Sequence, residues 1–106
     1  MRFTMRYNPK RLYRREKLQE IRVLIADDHA MFREALRSLL EREQDLRVVG
    51  EASNGREAIE QVSHLEPDVM LLDLTMPNLS GMEALRTLSK KSTPVRTIIL
   101  DDTSDK

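Results

Sequence analysis

The sequence predicts an α/β fold with a doubly wound parallel sheet, and two observations support this prediction. Four short apolar segments alternate with three amphipathic segments over residues 21–100, in the order β-α-β-α-β-α-β. Strands that alternate with helices favour parallel pairing through right-handed crossovers. The third apolar segment, residues 69–72, is apolar at successive positions, which is typical of a central strand covered on both faces.

The first strand is predicted at residues 21–26, which are rich in β-branched side chains, and Asp27 and Asp28 follow it directly. An amphipathic helix is then predicted over residues 29–43, with Asp28 as the candidate N-cap. The apolar face of this helix is predicted to contain Phe32, Ala35, Leu36, Leu39 and Leu40.

A second strand is predicted at residues 46–50, and a turn at residues 53–55 opens a second helix that continues to residue 65. The inward side of this helix is predicted to contain Ala58, Ile59 and Val62. The central strand at residues 69–72 follows, and it ends on the carboxylate of Asp73.

A third helix is predicted from residue 79 to residue 90, with an inward side that contains Met82, Leu85 and Leu88. Residues 92–94, which include a proline, end this helix because proline cannot continue it. The fourth strand is predicted at residues 95–100, and a polar tail follows.

Length and composition limit the class of protein. A chain of 106 residues favours a single domain, and the lack of cysteine excludes a disulfide framework, a thiolate metal site and a cysteine nucleophile. No apolar run approaches the length of a membrane span, and residues 1–20 lack the apolar core of a secretory signal. We therefore expect a cytoplasmic protein that does not associate with membranes.

The charge is unevenly distributed. Residues 1–20 contain seven basic and two acidic side chains, whereas residues 21–106 contain eleven basic and sixteen acidic ones. We interpret residues 1–20 as a mobile basic extension, or as the product of a start codon placed too far upstream. The alternative is a basic arm that contacts nucleic acid or a membrane surface.

Three carboxylates are predicted at strand ends: Asp27 and Asp28 after the first strand, and Asp73 after the third. Neighbouring first and third strands would bring them together at the crevice where such sheets bind ligands. Close carboxylates repel one another, and Mg²⁺ relieves this repulsion with oxygen ligands. A carboxylate beside the metal can attack phosphorus and form an aspartyl phosphate. The structural alternative, in which these residues only cap helices and end strands, is the weaker explanation for all three together.

The acidic pair and residues 73–81 (DLTMPNLSG, matching D-x-x-M-P-x-x-x-G) resemble the receiver domain of bacterial two-component response regulators, the CheY-like superfamily. Residues 27–29 (DDH) and 49–52 (VGEA) are most similar to its LuxR/NarL branch. The resemblance implies a flavodoxin-like sheet and, on Asp73, acceptance of a phosphoryl group from a sensor histidine kinase. It also implies that the pocket holds Mg²⁺.

The resemblance assigns roles to individual residues. Asp28 and Asp73 match direct ligands of Mg²⁺, Asp27 matches a ligand that acts through water, and Thr75 matches one that uses its backbone carbonyl. In the family, the loop after the phosphoacceptor is shaped by residues to which Met76, Pro77 and Gly81 correspond here. We interpret His29 as a helix residue at the rim of the pocket, in preference to a proton donor or metal ligand.

Two features depart from the family pattern. The switch position, usually Ser or Thr, is Asp101 here, and its carboxylate would oppose phosphorylation; Thr103 lies two residues too late. The final helix, strand and helix of the fold, including the family's phosphate-binding Lys, are not found after the fourth strand, and Lys106 comes too early to replace that Lys. We therefore expect residues 21–106 to form a truncated receiver with an exposed apolar edge that could promote self-association.

The leading functional hypothesis is a phospho-accepting receiver that changes conformation and controls an output, which is transcription in full-length relatives. It is not an enzyme in this interpretation, although self-phosphorylation from small donors and dephosphorylation could occur at the pocket. The alternatives are a phosphorylation-independent interaction module, a non-functional receiver fragment, and a Mg²⁺-dependent phosphatase. The phosphatase ranks last because the second acid of such enzymes would fall at Thr75. DNA binding would require an output domain outside these residues.

Overall fold

A computed structural model describes residues 20–91 and 95–100 of the chain. Within these residues strands and helices alternate in the predicted order. The elements are β1 (Ile21–Ala26), α1 (Ala30–Leu40), β2 (Leu46–Ala52), α2 (Gly55–Leu65), β3 (Val69–Asp73), α3 (Gly81–Ser89) and β4 (Arg96–Leu100).

The strands form one parallel sheet in the order β2-β1-β3-β4. The first and third strands are therefore neighbours, as predicted, and Ala26 of β1 pairs with Leu72 of β3. From β1 the chain adds β2 on one side of the sheet and then β3 and β4 on the other side. The carboxyl ends of β1 and β3 therefore lie at the topological switch point of the sheet. Asp27 and Asp73 each come directly after one of these paired positions.

The core lies on both faces of the sheet. One buried cluster contains Leu24, Ala26, Ala52, Ala58, Val62, Met70, Leu72, Met76 and Leu88, which come from the sheet, α2, α3 and the loop after β3. The opposite cluster contains Val23, Ile25, Val48 and Leu71, against which Leu36 and Leu40 of α1 pack. The alternation of β3 side chains between the two clusters confirms that residues 69–72 form a strand covered on both faces.

The start of α1 corrects one sequence prediction. The N-cap is His29, not Asp28, and α1 has no side-chain cap within the described residues. Asp27 explains the difference, because its Oδ1 accepts the backbone N–H of His29 at 2.8 Å and so fixes the chain just before the helix. The capping side chains of the other helices are Asn54 for α2 and Ser80 for α3.

The apolar face of α1 is only partly covered. Leu36 and Leu40 pack against the core. Phe32 is 44% exposed and Leu39 is 55% exposed, although the sequence places them on the same face. On α3, Met82 is 42% exposed, so its predicted inward placement is wrong. Within the described part of the chain α1 packs on β1 and β2, and β4 is the edge strand on the far side of the sheet. Ile98 of β4 is also 54% exposed, which confirms the prediction of an exposed apolar edge.

Several predictions concern residues outside the described ranges. They include the basic segment at residues 1–19, the helix break at residues 92–94, the switch position Asp101, and Thr103 and Lys106 in the tail. Among the described residues, no helix combines the length and the hydropathy that crossing a membrane requires.

Candidate functional site

The acidic residues predicted at the strand ends meet at one edge of the sheet. Asp27 follows β1 and is 4% exposed, and Asp73 ends β3 and is 9% exposed. Potential ligand atoms of Asp27, Asp28, His29 and Asp73 all lie within 4.8 Å of one another. The convergence of the three carboxylates is thus a property of the structure. His29 joins this acidic cluster, which we define as these four residues.

His29 lies at the rim of the pocket, where the sequence placed it, but it also contacts the acids. Its Nδ1 is 3.0 Å from Asp27 Oδ1 and 3.2 Å from Asp28 Oδ1. The hydrogen bond to Asp27, together with the negative charges of Asp28 and Asp27, raises the pKa of the His29 imidazole above its usual value. This histidine is therefore an electrostatic partner of both acids, which the sequence interpretation did not anticipate.

Asp28 carries the unsatisfied atom of the cluster. Its Oδ1 is buried and accepts no hydrogen bond from the described residues, because the ring nitrogen of His29 bonds to Asp27 instead. A buried carboxylate oxygen without a partner is costly unless a cation or a donor satisfies it. Three carboxylates with one orphaned oxygen match the all-oxygen preference of a hard divalent cation such as Mg²⁺.

Asp73 is held by Thr75, two residues further along the chain. The backbone N–H of Thr75 donates to Asp73 Oδ1 at 3.0 Å, and its hydroxyl donates to the same oxygen at 3.1 Å. These two bonds fix the rotation of the carboxylate and leave Oδ2 without a hydrogen bond from the described part of the chain. The side-chain bond was not predicted, since the sequence assigned Thr75 a role only through its carbonyl.

The loop after Asp73 depends on two residues that the sequence singled out. Met76 is buried in the core cluster of α2 and α3, whereas Pro77 is exposed. Gly81 donates its N–H to the Leu74 carbonyl at 3.1 Å, and a Cβ on Gly81 would overlap the carbonyl oxygen of Asp73. Glycine is needed here for this close approach and not for a positive φ, since the positive φ in this loop belongs to Asn78.

Two arginines of α1 form ion pairs with Glu51 of β2, beside the acidic cluster. Sequence reasoning missed these ion pairs. Arg33 Nε donates to Glu51 Oε1 at 2.8 Å, and Arg37 Nε donates to Glu51 Oε2 at 2.9 Å. These bonds, with that from Arg33 as the strongest contribution, lower the pKa of the Glu51 carboxyl. Arg33 Nη1 also donates to the backbone carbonyl of Asp27 at 2.6 Å. The i, i+4 spacing of the two arginines was the available signal.

Comparison with known proteins gives consistent matches. A family model described as the response regulator receiver domain matches residues 23–106. A protein-glutamate methylesterase/protein-glutamine glutaminase of Thermotoga maritima is 42% identical over 80% of this chain and 24% of its own length. The nitrate/nitrite response regulator protein NarL of Escherichia coli is 44% identical over 73% of this chain and 36% of its own length.

Solved structures agree with the fold. The response regulator domain of Thermotoga maritima CheB superposes with a TM-score of 0.75 and 43% identity, covering 78% of this chain and 61% of that chain. The chain spans only about a quarter to a third of the length of the curated relatives it matches. The activities in their names are therefore properties of longer proteins.

Proposed function

Because this chain belongs to the response regulator receiver domain family, we propose that Asp73 accepts a phosphoryl group from a sensor histidine kinase. Receivers are phospho-accepting signalling domains, and most of them are not enzymes. The observation that carries the assignment to Asp73 is its position at the carboxyl end of the central strand β3, 9% exposed, with one carboxylate oxygen fixed by Thr75 and the other unbonded within the described residues.

The transfer step requires a correctly oriented oxygen nucleophile. Asp73 Oδ2 attacks phosphorus, an O–P bond forms, and the N–P bond of the kinase phosphohistidine breaks, so that the electron pair of that bond returns to the imidazole. The two hydrogen bonds from Thr75 hold Oδ1 and leave Oδ2 without a hydrogen bond from the described residues. Burial of Asp73 at the sheet edge limits the access of water to the nucleophile.

Mg²⁺ would be held by this chain's own oxygen atoms. We assign direct ligation to Asp28 and Asp73, ligation through water to Asp27, and ligation through the backbone carbonyl to Thr75. When bound, the metal offsets the negative charge of the transferring group and of the carboxylates. The buried Asp28 Oδ1, which accepts no hydrogen bond from the described residues, supports this assignment.

The partners and the output follow from the family and are also proposed. Phosphorylation would switch the conformation of the domain, and control of transcription would require a DNA-binding output domain, as the NarL relative suggests. We propose a cytoplasmic location on the same basis. This proposal includes phosphorylation from small donors and self-dephosphorylation at the pocket. It also assigns Asp101 to the switch position.

We expect Asp73→Asn to abolish phosphorylation, because the amide lacks the nucleophilic carboxylate oxygen. Wild-type protein incubated with acetyl phosphate and Mg²⁺ should gain one phosphoryl group by intact-mass spectrometry, and Asp73→Asn should gain none. Asp45→Asn, the same change in the turn before β2, is the matched control and should react like the wild type. Circular dichroism on the same samples shows whether each protein is folded.

Two results would contradict this assignment. An adduct on Asp73→Asn would place the phosphoryl group elsewhere. A folded wild type without an adduct would favour the phosphorylation-independent interaction module.

We also propose that the β4 edge promotes self-association. Ile98 is 54% exposed and Ile99 is 39% exposed on this edge strand, and an uncovered apolar edge is a template for pairing with another chain. Ile98→Lys should lower the weight-average mass measured by multi-angle light scattering at high protein concentration. Ser63→Lys, which adds the same charge at an exposed polar position of α2, should leave it unchanged. A monomeric wild type would refute the proposal.

A further inference from the structure

We propose that Arg33 is a positioning residue for the Mg²⁺ site, because it fixes the peptide group between Asp27 and Asp28. The inference rests on the proposed function, since it concerns the metal that the acidic cluster would hold. Arg33 touches neither the metal nor the phosphoryl group in this proposal. It acts through the backbone that carries the two acids.

The contact between Arg33 and Asp27 is specific and sheltered. Arg33 Nη1 donates to the Asp27 carbonyl oxygen at 2.6 Å, and the Arg33 side chain is only 17% exposed. That oxygen belongs to the peptide bond joining Asp27 to Asp28, and a peptide group is planar. A hydrogen bond to the oxygen therefore sets the orientation of the whole plane, and with it the direction in which Asp28 leaves the backbone.

The preceding peptide unit, which joins Ala26 to Asp27, is held by the sheet. The N–H of Asp27 belongs to that unit and donates to the Ala52 carbonyl of β2 at 2.9 Å. The buried Asp28 Oδ1 accepts no hydrogen bond from the described residues, and its nearest charged neighbour is the ring of His29, which is 72% exposed. The placement of Asp28 then depends on the backbone plane that Arg33 holds.

Arg33 is itself anchored. Its Nε donates to Glu51 Oε1, and the second oxygen of Glu51 accepts from Arg37 Nε. The rigid guanidinium can thus make two bonds in two directions, one to β2 and one to the end of β1. A lysine ammonium is a single point charge and cannot reproduce this fork geometry.

The positioning role and simple electrostatics predict opposite changes in Mg²⁺ affinity when Arg33 is removed. Removal of a cation near a metal site should strengthen Mg²⁺ binding through reduced Coulomb repulsion. Loss of a positioning contact should weaken it, and loss of a residue that orients metal ligands typically costs about tenfold or more in metal affinity. The sign of the change therefore separates the two effects.

The experiment is isothermal titration calorimetry with MgCl₂ at fixed ionic strength on the wild type, Arg33→Met and Arg37→Met. We expect Arg33→Met to raise the Kd for Mg²⁺ about tenfold. Arg37→Met is the matched control, because it removes the same charge and also breaks a bond to Glu51, but Arg37 makes no hydrogen bond to Asp27. Its Kd should not rise above that of the wild type. Urea unfolding of both variants separates a general loss of stability from the change in affinity.

The outcomes are distinguishable. Equal Kd values for Arg33→Met and Arg37→Met, or tighter binding by Arg33→Met, would overturn the positioning role while leaving the proposed function intact. A wild type that does not bind Mg²⁺ would overturn both. If Arg33→Met does not fold, Arg33→Lys replaces it, and an Arg33→Lys affinity equal to that of the wild type would overturn the proposal.

Discussion

Gly81→Ala is expected to lower the free energy of unfolding by about 3 kcal/mol, the upper part of the range for overpacked sites. A Cβ on residue 81 would overlap the carbonyl oxygen of Asp73 and lie 2.7 Å from the Cα of Leu74. These are backbone atoms, so no side-chain rotation can relieve the overlap. The N–H of Gly81 also bonds to the Leu74 carbonyl, so a shift of the helix start would break that bond. Urea unfolding followed by circular dichroism measures the change.

Gly50→Ala supplies the control with the same chemical change. Its added Cβ would meet Leu65 Cδ1 at 2.6 Å and Gln61 Oε1 at 3.1 Å, which are the ends of flexible side chains. Adjustment of such side chains costs about 1 kcal/mol. Similar losses for the two variants would show that backbone contact at Gly81 is not the cause. Because the overlap falls on Asp73, Gly81→Ala should also reduce phosphorylation of any protein that remains folded.

The order of the elements was predictable because it depends on local patterns. The apolar run at residues 69–72 and the amphipathic spacing of α2 required only side-chain types at short intervals, and α2 was predicted with the bounds found in the structure. A doubly wound sheet allows β1 and β3 to be neighbours at its switch point, and the structure pairs them, which brings Asp27 and Asp73 together.

The N-cap error is local, since it depends on the bond between Asp27 and the N–H of His29. The exposure of α1 and the role of Arg33, in contrast, depend on contacts between segments distant in sequence. The periodicity of α1 gave the correct apolar stripe, but whether Phe32 and Leu39 are buried depends on what lies against that stripe. The bond from Arg33 to the Asp27 carbonyl depends on the angle between α1 and β1, which side-chain types do not encode. A helix's polar face is normally solvated, so an arginine there gives no sign that it supports a binding site.

Asp28→Asn should change stability and metal binding in opposite directions. We expect the Kd for Mg²⁺ to rise at least about 100-fold, since loss of a direct ligand should cost no less than loss of an outer partner. Without Mg²⁺, the free energy of unfolding should rise by about 1 kcal/mol, because the substitution removes one of three carboxylates whose oxygens lie within 4.8 Å. Calorimetry with MgCl₂ and urea unfolding in EDTA measure the two quantities, with Asp45→Asn as the control.

The sign of the stability change decides between two roles for Asp28. A capping carboxylate supports its helix, and its loss costs about 1 kcal/mol whether or not metal is present. A carboxylate kept for metal binding destabilises the fold until the cation binds, because its buried Oδ1 accepts no hydrogen bond from the described residues and its charge repels Asp27 and Asp73. A loss of stability in EDTA, or unchanged Mg²⁺ affinity, would therefore restore the helix-capping role that the N-cap at His29 argues against.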